Sequence, residues 1–181
     1  MYKPLTVPKR SRWAALFALL LGSLTITACT AQTPQRLGAP IEGYNHTSAA
    51  INHFSVNGSG GPNLSPNSGG GSQTCCASLP VKWQTGMTVV VEWEKDPNPR
   101  ASLPPLGTDA YREAYRKHAA QYTRHRAVVE VAPYERLGTV DVHFLPCNQV
   151  KVSAVNDLPG QPGYPYNYPL KMEEPSQCTN L

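Results

Sequence analysis

The sequence predicts a mainly β protein: a compact, β-sandwich-like domain of about seven strands with one inserted α-helix and two disulfides. Three observations predict it. The 181 residues include 14 glycines and 18 prolines, a density of punctuation that argues against a helical bundle. Segments with period-two alternation recur between turn signals, whereas one stretch alone carries helical periodicity. Four cysteines (Cys75, Cys76, Cys147 and Cys178) lie within residues 41–181, enough for two cross-links.

The strands are expected to begin at Ile41. Ile41–Thr47 (IEGYNHT) and Ile51–Val56 (INHFSV) alternate apolar with polar residues, and the small residues between them predict a hairpin. Asn57–Thr74 follows, eighteen residues with six glycines and almost nothing apolar. This predicts a long surface loop, without strand or helix, that ends at Cys75-Cys76. Met87–Glu94 (MTVVVEWE) is the clearest strand, and its three consecutive valines predict a central one. Asp96–Pro105 is a proline-rich connection, after which Thr108 or Asp109 caps a helix expected to run to about Arg124. Ala127–Val131, Thr139–Phe144 and Gln149–Val155 complete the strands. Pro159–Pro169 alternates Pro, Gly and Tyr and is expected to lie extended on the surface, stapled down by Cys178.

Ahead of the domain, residues 1–28 carry Lys3, Lys9, Arg10 and Arg12 and no acid. A weakly polar run of twelve residues, Trp13–Leu24, comes next. As a helix it would cover about 18 Å, short of the roughly 30 Å hydrocarbon core, which is the layout of a secretory signal rather than a membrane span. Ile26-Thr-Ala-Cys29 resembles the bacterial lipobox. That resemblance implies cleavage before Cys29, a diacylglyceryl group on its thiol, and acylation of the new amine. Two or three buried acyl chains anchor stably where one would be marginal. Residues 29–40 then form a lipidated tether, and 41–181 a single domain facing the periplasm. Thr30 in place of Asp after the cysteine implies sorting to the outer membrane. Cleavage also removes four bases and leaves twelve against twelve acids. Nucleic-acid binding, which needs a basic face to displace counterions, is therefore not expected.

Lipidation of Cys29 leaves four thiols, which in an oxidising compartment should form two disulfides in one of three connectivities. Direct Cys75–Cys76 pairing closes an eight-membered ring, so each of these is expected to bond one of Cys147 and Cys178. The spacing lacks the paired cysteines of structural zinc, and no metal is expected. No catalytic constellation is found: the chain has no G-x-S-x-G, no H-E-x-x-H, no Walker loop and no Rossmann fingerprint. The histidines at 46, 53, 118, 125 and 143 are scattered, and satisfied strand histidines explain them more simply than a metal or acid–base site. Glu92 and Glu94 are the solvated side of a strand. Neither enzymatic activity nor a cofactor is expected.

The helix is more informative. Tyr111, Tyr115, His118, Ala119 and Tyr122 form one stripe, with Arg112, Arg116 and Lys117 beside it. The stripe suits packing against a sheet, but Tyr and Arg are also the residues enriched at binding hot spots. Tyr111, Arg112, Tyr115 and Arg116 are thus candidate partner contacts. Asn63 and Asn67 of the glycine-rich segment join them, because loops on a braced scaffold commonly carry recognition.

Several segments together resemble a known family: Gly43-Tyr-Asn-His46, Ile51–Gly58 (INHFSVNG), Gly69–Cys76 (GGGSQTCC), Leu79-Pro-Val-Lys-Trp83, Val91-Glu-Trp93 and Val142-His-Phe-Leu-Pro146. They are similar to small bacterial lipoproteins classed only as a domain of unknown function, whose genes often lie beside type VI secretion effectors, particularly phospholipase-type toxins. The resemblance spans roughly residues 41–155. It implies an immunity protein, a membrane-anchored binder that blocks a toxin delivered by sister cells. It carries no catalytic residue onto this chain. A structural or assembly lipoprotein of the envelope is the alternative of a different class, and a periplasmic hydrolase is a third.

Overall fold

Eight strands and one helix make up the described part of the chain, residues 34–178 of a computed structural model. The expected signal at 1–28 and the lipidation site Cys29 lie outside the described residues. The strands are β1 (Arg36–Asn45), β2 (Ala50–Val56), β3 (Ser59–Gly60), β4 (Ser68–Pro80), β5 (Thr88–Asp96), β6 (Thr123–Glu130), β7 (Val140–Leu145) and β8 (Gln149–Ser153), with the helix α1 (Asp109–Ala119) between β5 and β6. They form two four-stranded sheets, A in the order β4-β1-β7-β8 and B in the order β3-β2-β5-β6. The mainly β, sandwich-like architecture with one inserted helix and two disulfides is as expected, with eight strands where about seven were predicted. No helix among the described residues is long and apolar enough to cross a membrane.

Period two explains which side chains meet between the sheets. Val89, Val91 and Trp93 alternate inward along β5, which is bonded to β2 on one side and β6 on the other, the central place its valines predict. Ile41 on β1 and Val140, Val142 and Phe144 on β7 face them from sheet A. Phe144 meets both Phe54 (ring centroids 5.1 Å) and Trp93 (5.7 Å). Each fully buried aliphatic or Phe side chain contributes about 1.5–3 kcal/mol relative to exposure.

Five expectations need correction. The predicted β1–β2 hairpin does not form. β1 is flanked by β4 and β7 within sheet A, and residues 46–49 carry the chain across to sheet B. Asn45 braces that crossing: its Nδ2 donates to the carbonyls of Ala49 (2.7 Å) and Ser65 (2.9 Å), and its Oδ1 accepts from the Thr47 hydroxyl (2.9 Å).

The glycine-rich run is not a loop throughout. Its second half opens β4, a thirteen-residue strand antiparallel to β1. Gly69 pairs with Tyr44, and a Cβ there would lie 2.6 Å from the Gly43 carbonyl oxygen and the Tyr44 Cα. Glycine marks a close backbone approach here rather than a turn. Domain structure also starts early, since β1 begins at Arg36, inside the expected tether, with Arg36 Nε donating to Ser78 Oγ (3.2 Å).

The helix stops at Ala119 rather than Arg124, because Thr123–Glu130 pairs residue for residue with Lys95–Thr88. Eight ladder positions against a central strand outweigh the helical preference of an Arg-His-Arg run.

Cross-linking is also different. Cys75 bonds its neighbour Cys76, and Cys147 bonds Cys178. Register excludes the expected crossed pairing. Cys76 lies opposite β1 near Ala39, whereas Cys147 follows Leu145, beyond the Phe144–Asn45 pair. Six or more residues of β1 separate the two, about 20 Å along the strand, far beyond the roughly 7 Å that a disulfide spans between Cα atoms. The bridge from Cys178 does staple down the C-terminal segment, as predicted. That segment is more than a surface strap, because its Tyr164 is buried.

Candidate functional site

α1 presents two faces. Thr108 caps it, its Oγ1 accepting from the Tyr111 N–H (3.1 Å), and Asp109 supplies the acid that suits a first turn. The predicted stripe is split between them. His118 is buried with its Nε2 3.0 Å from Asp96 Oδ2, and Tyr122 packs edge-on against its ring at 5.2 Å. Burial, with Asp96 nearby, pushes the Tyr122 hydroxyl up to about 12. These residues seat the helix on the end of β5. Tyr111 and Tyr115 lie at the outer end of the same stripe, their rings stacked at 5.9 Å and 10°, with Tyr115 43% exposed. Arg112 pairs with Asp109, and Arg116 with Glu113, each one helical turn away. Of the two asparagines, Asn63 is exposed. Asn67 turns the chain into β4 with φ 50°, donates its N–H to the Thr47 carbonyl (3.0 Å) and leaves its buried Oδ1 without a partner. Leu64 bridges Ile51, which pairs with Lys95, so both asparagines flank the Asp96 end of sheet B, where α1 is also attached.

A second constellation escaped the sequence reading. β7 is buried on both faces: Val140, Val142 and Phe144 point into the sandwich, whereas Asp141 and His143 point outward, where the C-terminal segment covers them. Parallel pairing of β1 with β7 sets Tyr44 beside His143 and Glu42 beside Asp141. Across the row, His143 stacks on Tyr44 at 4.8 Å and 12°. Tyr164 and Tyr166 pack on its other sides.

A hydrogen-bond chain runs through these groups. His46 Nδ1 is 2.8 Å from the Pro169 carbonyl, which can only accept, so that nitrogen carries the proton. His46 Nε2 then accepts from His143 Nδ1 (2.9 Å), and His143 Nε2 accepts from the Tyr164 hydroxyl (2.5 Å). Met172 N–H donates to the His46 carbonyl (2.8 Å) and closes the C-terminal segment over the pair. Burial pushes His143 down to about 3, with His46 beside it adding to the shift, and burial also lowers His46. Both imidazoles are neutral and all four ring nitrogens are engaged, which leaves none free for a substrate or a metal ion. Burial drives Asp141 the other way, up to about 7, with the neighbouring Glu42 adding to the shift. The tail spacing Tyr164-x-Tyr166-x-Tyr168 and two polar residues inside the apolar run VDVHFL were the available signals. They point to a strand covered on both sides.

The other histidines are apart from this pair. His53 lies on the outer face of sheet B, 3.9 Å from Glu94, which Arg124 also bonds (3.1 Å). His125 stacks on Trp93 at 5.1 Å. Glu92 and Glu94 do lie on one face, each opposite an arginine of β6, but only Glu92 is solvated as expected; Glu94 is largely covered by Asn52 and Arg124, which bond its carboxylate. Cys147, Glu174 and Cys178 converge within 4.8 Å, but with the two sulfurs bonded to each other the carboxylate accepts instead from the Cys147 N–H (2.7 Å).

A family model described as a protein of unknown function, DUF3304, matches residues 44–152, from Tyr44 at the end of β1 to Val152 in β8. The match takes in His46, α1, Cys75-Cys76 and His143 and stops short of the tyrosines that cover them. No curated protein and no solved structure matches the chain.

Proposed function

Since the chain belongs to the DUF3304 family, whose function is not described, we propose from its own residues that it is a non-enzymatic binding protein of the cell envelope. In this proposal it is an exported lipoprotein, acylated at Cys29 on the outer membrane. It faces the periplasm and acts as an immunity protein that binds and inhibits a phospholipase-type toxin delivered by type VI secretion. The observation that carries the binding role is the outer face of α1. Tyr111 and Tyr115 are already stacked on each other, and Arg112 and Arg116 are held by Asp109 and Glu113. Aromatic rings stacked before contact lose little rotamer freedom on binding, and exposed guanidinium groups beside them can pair with a partner, which is what a hot spot needs. The buried histidines support the same reading, because their nitrogens are spent on holding the C-terminal segment. Acyl anchoring suits an inhibitor of a lipase, since tethering raises local concentration where the toxin acts.

Deletion of the gene tests the proposal: the deletion strain should die only when attacked by sister cells that carry the toxin. An envelope defect without any toxin would instead make the protein an assembly lipoprotein. Replacing both Tyr111 and Tyr115 with Ala should weaken capture of the toxin by about 10-fold or more, read by pull-down and calorimetry, with thermal stability nearly unchanged.

A further inference from the structure

The C-terminal segment does not seal the outer face of sheet A completely. Beside the histidine pair it leaves a recess of about 210 Å³, lined chiefly by Tyr44, His46, His143, Tyr166, Tyr168 and Leu170. What this recess offers a ligand is set by its chemistry. The ring nitrogens are consumed, so beyond the Asn167 amide it presents mainly aromatic rings. No lysine or arginine lines it; Lys151, opposite His143 on β8, lines a separate recess that shares Tyr166, and Lys171 is paired with Glu173 (3.0 Å). Burial raises the Tyr44 hydroxyl, with Asp141 and Glu42 beside it adding to the shift, so this ring stays uncharged and keeps its quadrupole. Several aromatic rings with no cation in the lining attract positive charge through the ring quadrupole. At about 210 Å³ the space is below the 300 Å³ or so of drug-sized pockets and suits one small head group.

We propose that this recess binds an organic cation of the ammonium or guanidinium class. The rings of Tyr44, Tyr166 and Tyr168 supply the contact, and Leu170 packs against the alkyl part. The site is separate from α1 and does not depend on the inhibitor role.

The test is a titration of the full-length protein, in a non-ionic detergent and with ring-labelled tyrosine, followed by NMR. The probes are butylguanidinium, butylammonium and tetramethylammonium, with pentanol and tert-butanol as uncharged analogues. Saturable millimolar shifts for at least one cation are expected, with the matching uncharged analogue about tenfold weaker. Tyr168→Leu should weaken binding about fivefold or more, whereas Tyr168→Phe, which keeps the ring, should stay within about twofold. Stronger binding of the butyl cations assigns the site to a lysine or arginine side chain of another protein, and stronger binding of tetramethylammonium to a quaternary head group. Equal binding of the uncharged analogues, no saturation by any cation, or a wild-type affinity in folded Tyr168→Leu overturns the proposal.

Discussion

Asp141 and His143 lie two residues apart on β7, and burial moves them in opposite directions. His143 falls from 6.5 to about 3, so folding expels a proton; the stability it contributes is present above about 6.5 and is lost as the pH falls toward 3. Asp141 rises from 3.8 to about 7, so folding takes up a proton; its contribution is present below about 3.8 and is lost as the pH rises toward 7. Between those limits the unfolded chain carries a charged pair and the folded chain a neutral one with the same number of protons, so the two slopes cancel. Asp141→Asn removes the cancellation. Urea unfolding between about pH 4.5 and 6 should then show stability rising with pH more steeply than wild type, by close to one proton or about 1.4 kcal/mol per unit. His46 and His125, also lowered by burial, contribute equally to both proteins, so the difference isolates the pair. Glycines make a second contrast at this scale. A Cβ at Gly61 would fall 2.0 Å from Phe54 Cζ in the core, whereas one at Gly71 would meet nothing within 4 Å. Gly61→Ala should cost about 2 kcal/mol or more and Gly71→Ala about 0.5 kcal/mol or less, measured by chemical denaturation.

Among the elements, the C-terminal segment is the one whose role changes most between sequence and structure. It contributes no strand, yet Tyr164 and Tyr166 roof the polar row of sheet A, and Tyr166 donates to the Val152 carbonyl (3.1 Å). The Cys147–Cys178 bridge closes a 31-residue separation around it, worth about 3–4 kcal/mol on the chain-entropy account. Replacing both cysteines with Ser should lower stability by an amount of that order. It should also speed amide exchange at Met172, whose N–H bonds His46. Period two made β5, β7 and β8 legible, and capping made the start of α1 legible, because those signals are local. β4 was hidden since its glycines answer to Tyr44, some 25 residues away in sequence, and the end of α1 was hidden since β5 decides it. The His46–His143 contact spans 97 residues and left no local mark.

At the scale of the whole molecule, the two-sheet layout followed from turn density and alternation, whereas sheet membership did not, because adjacency in the chain predicted a hairpin where the strands part company. The same limit holds for function. Tyr and Arg at helical spacing named a surface, but nothing local names what covers it. Export is testable directly: labelled palmitate should enter the wild-type chain and fail to enter Cys29→Ser, and globomycin should block maturation. The parallel pairing of β1 with β7 carries one more consequence. Some 95 residues are made between those two strands, so β1 waits with one flank bare until β7 is available to pair. Such high contact order should make acquisition of the native state slow, on the order of milliseconds to seconds, and should leave the emerging chain open to aggregation until Val140–Leu145 arrives.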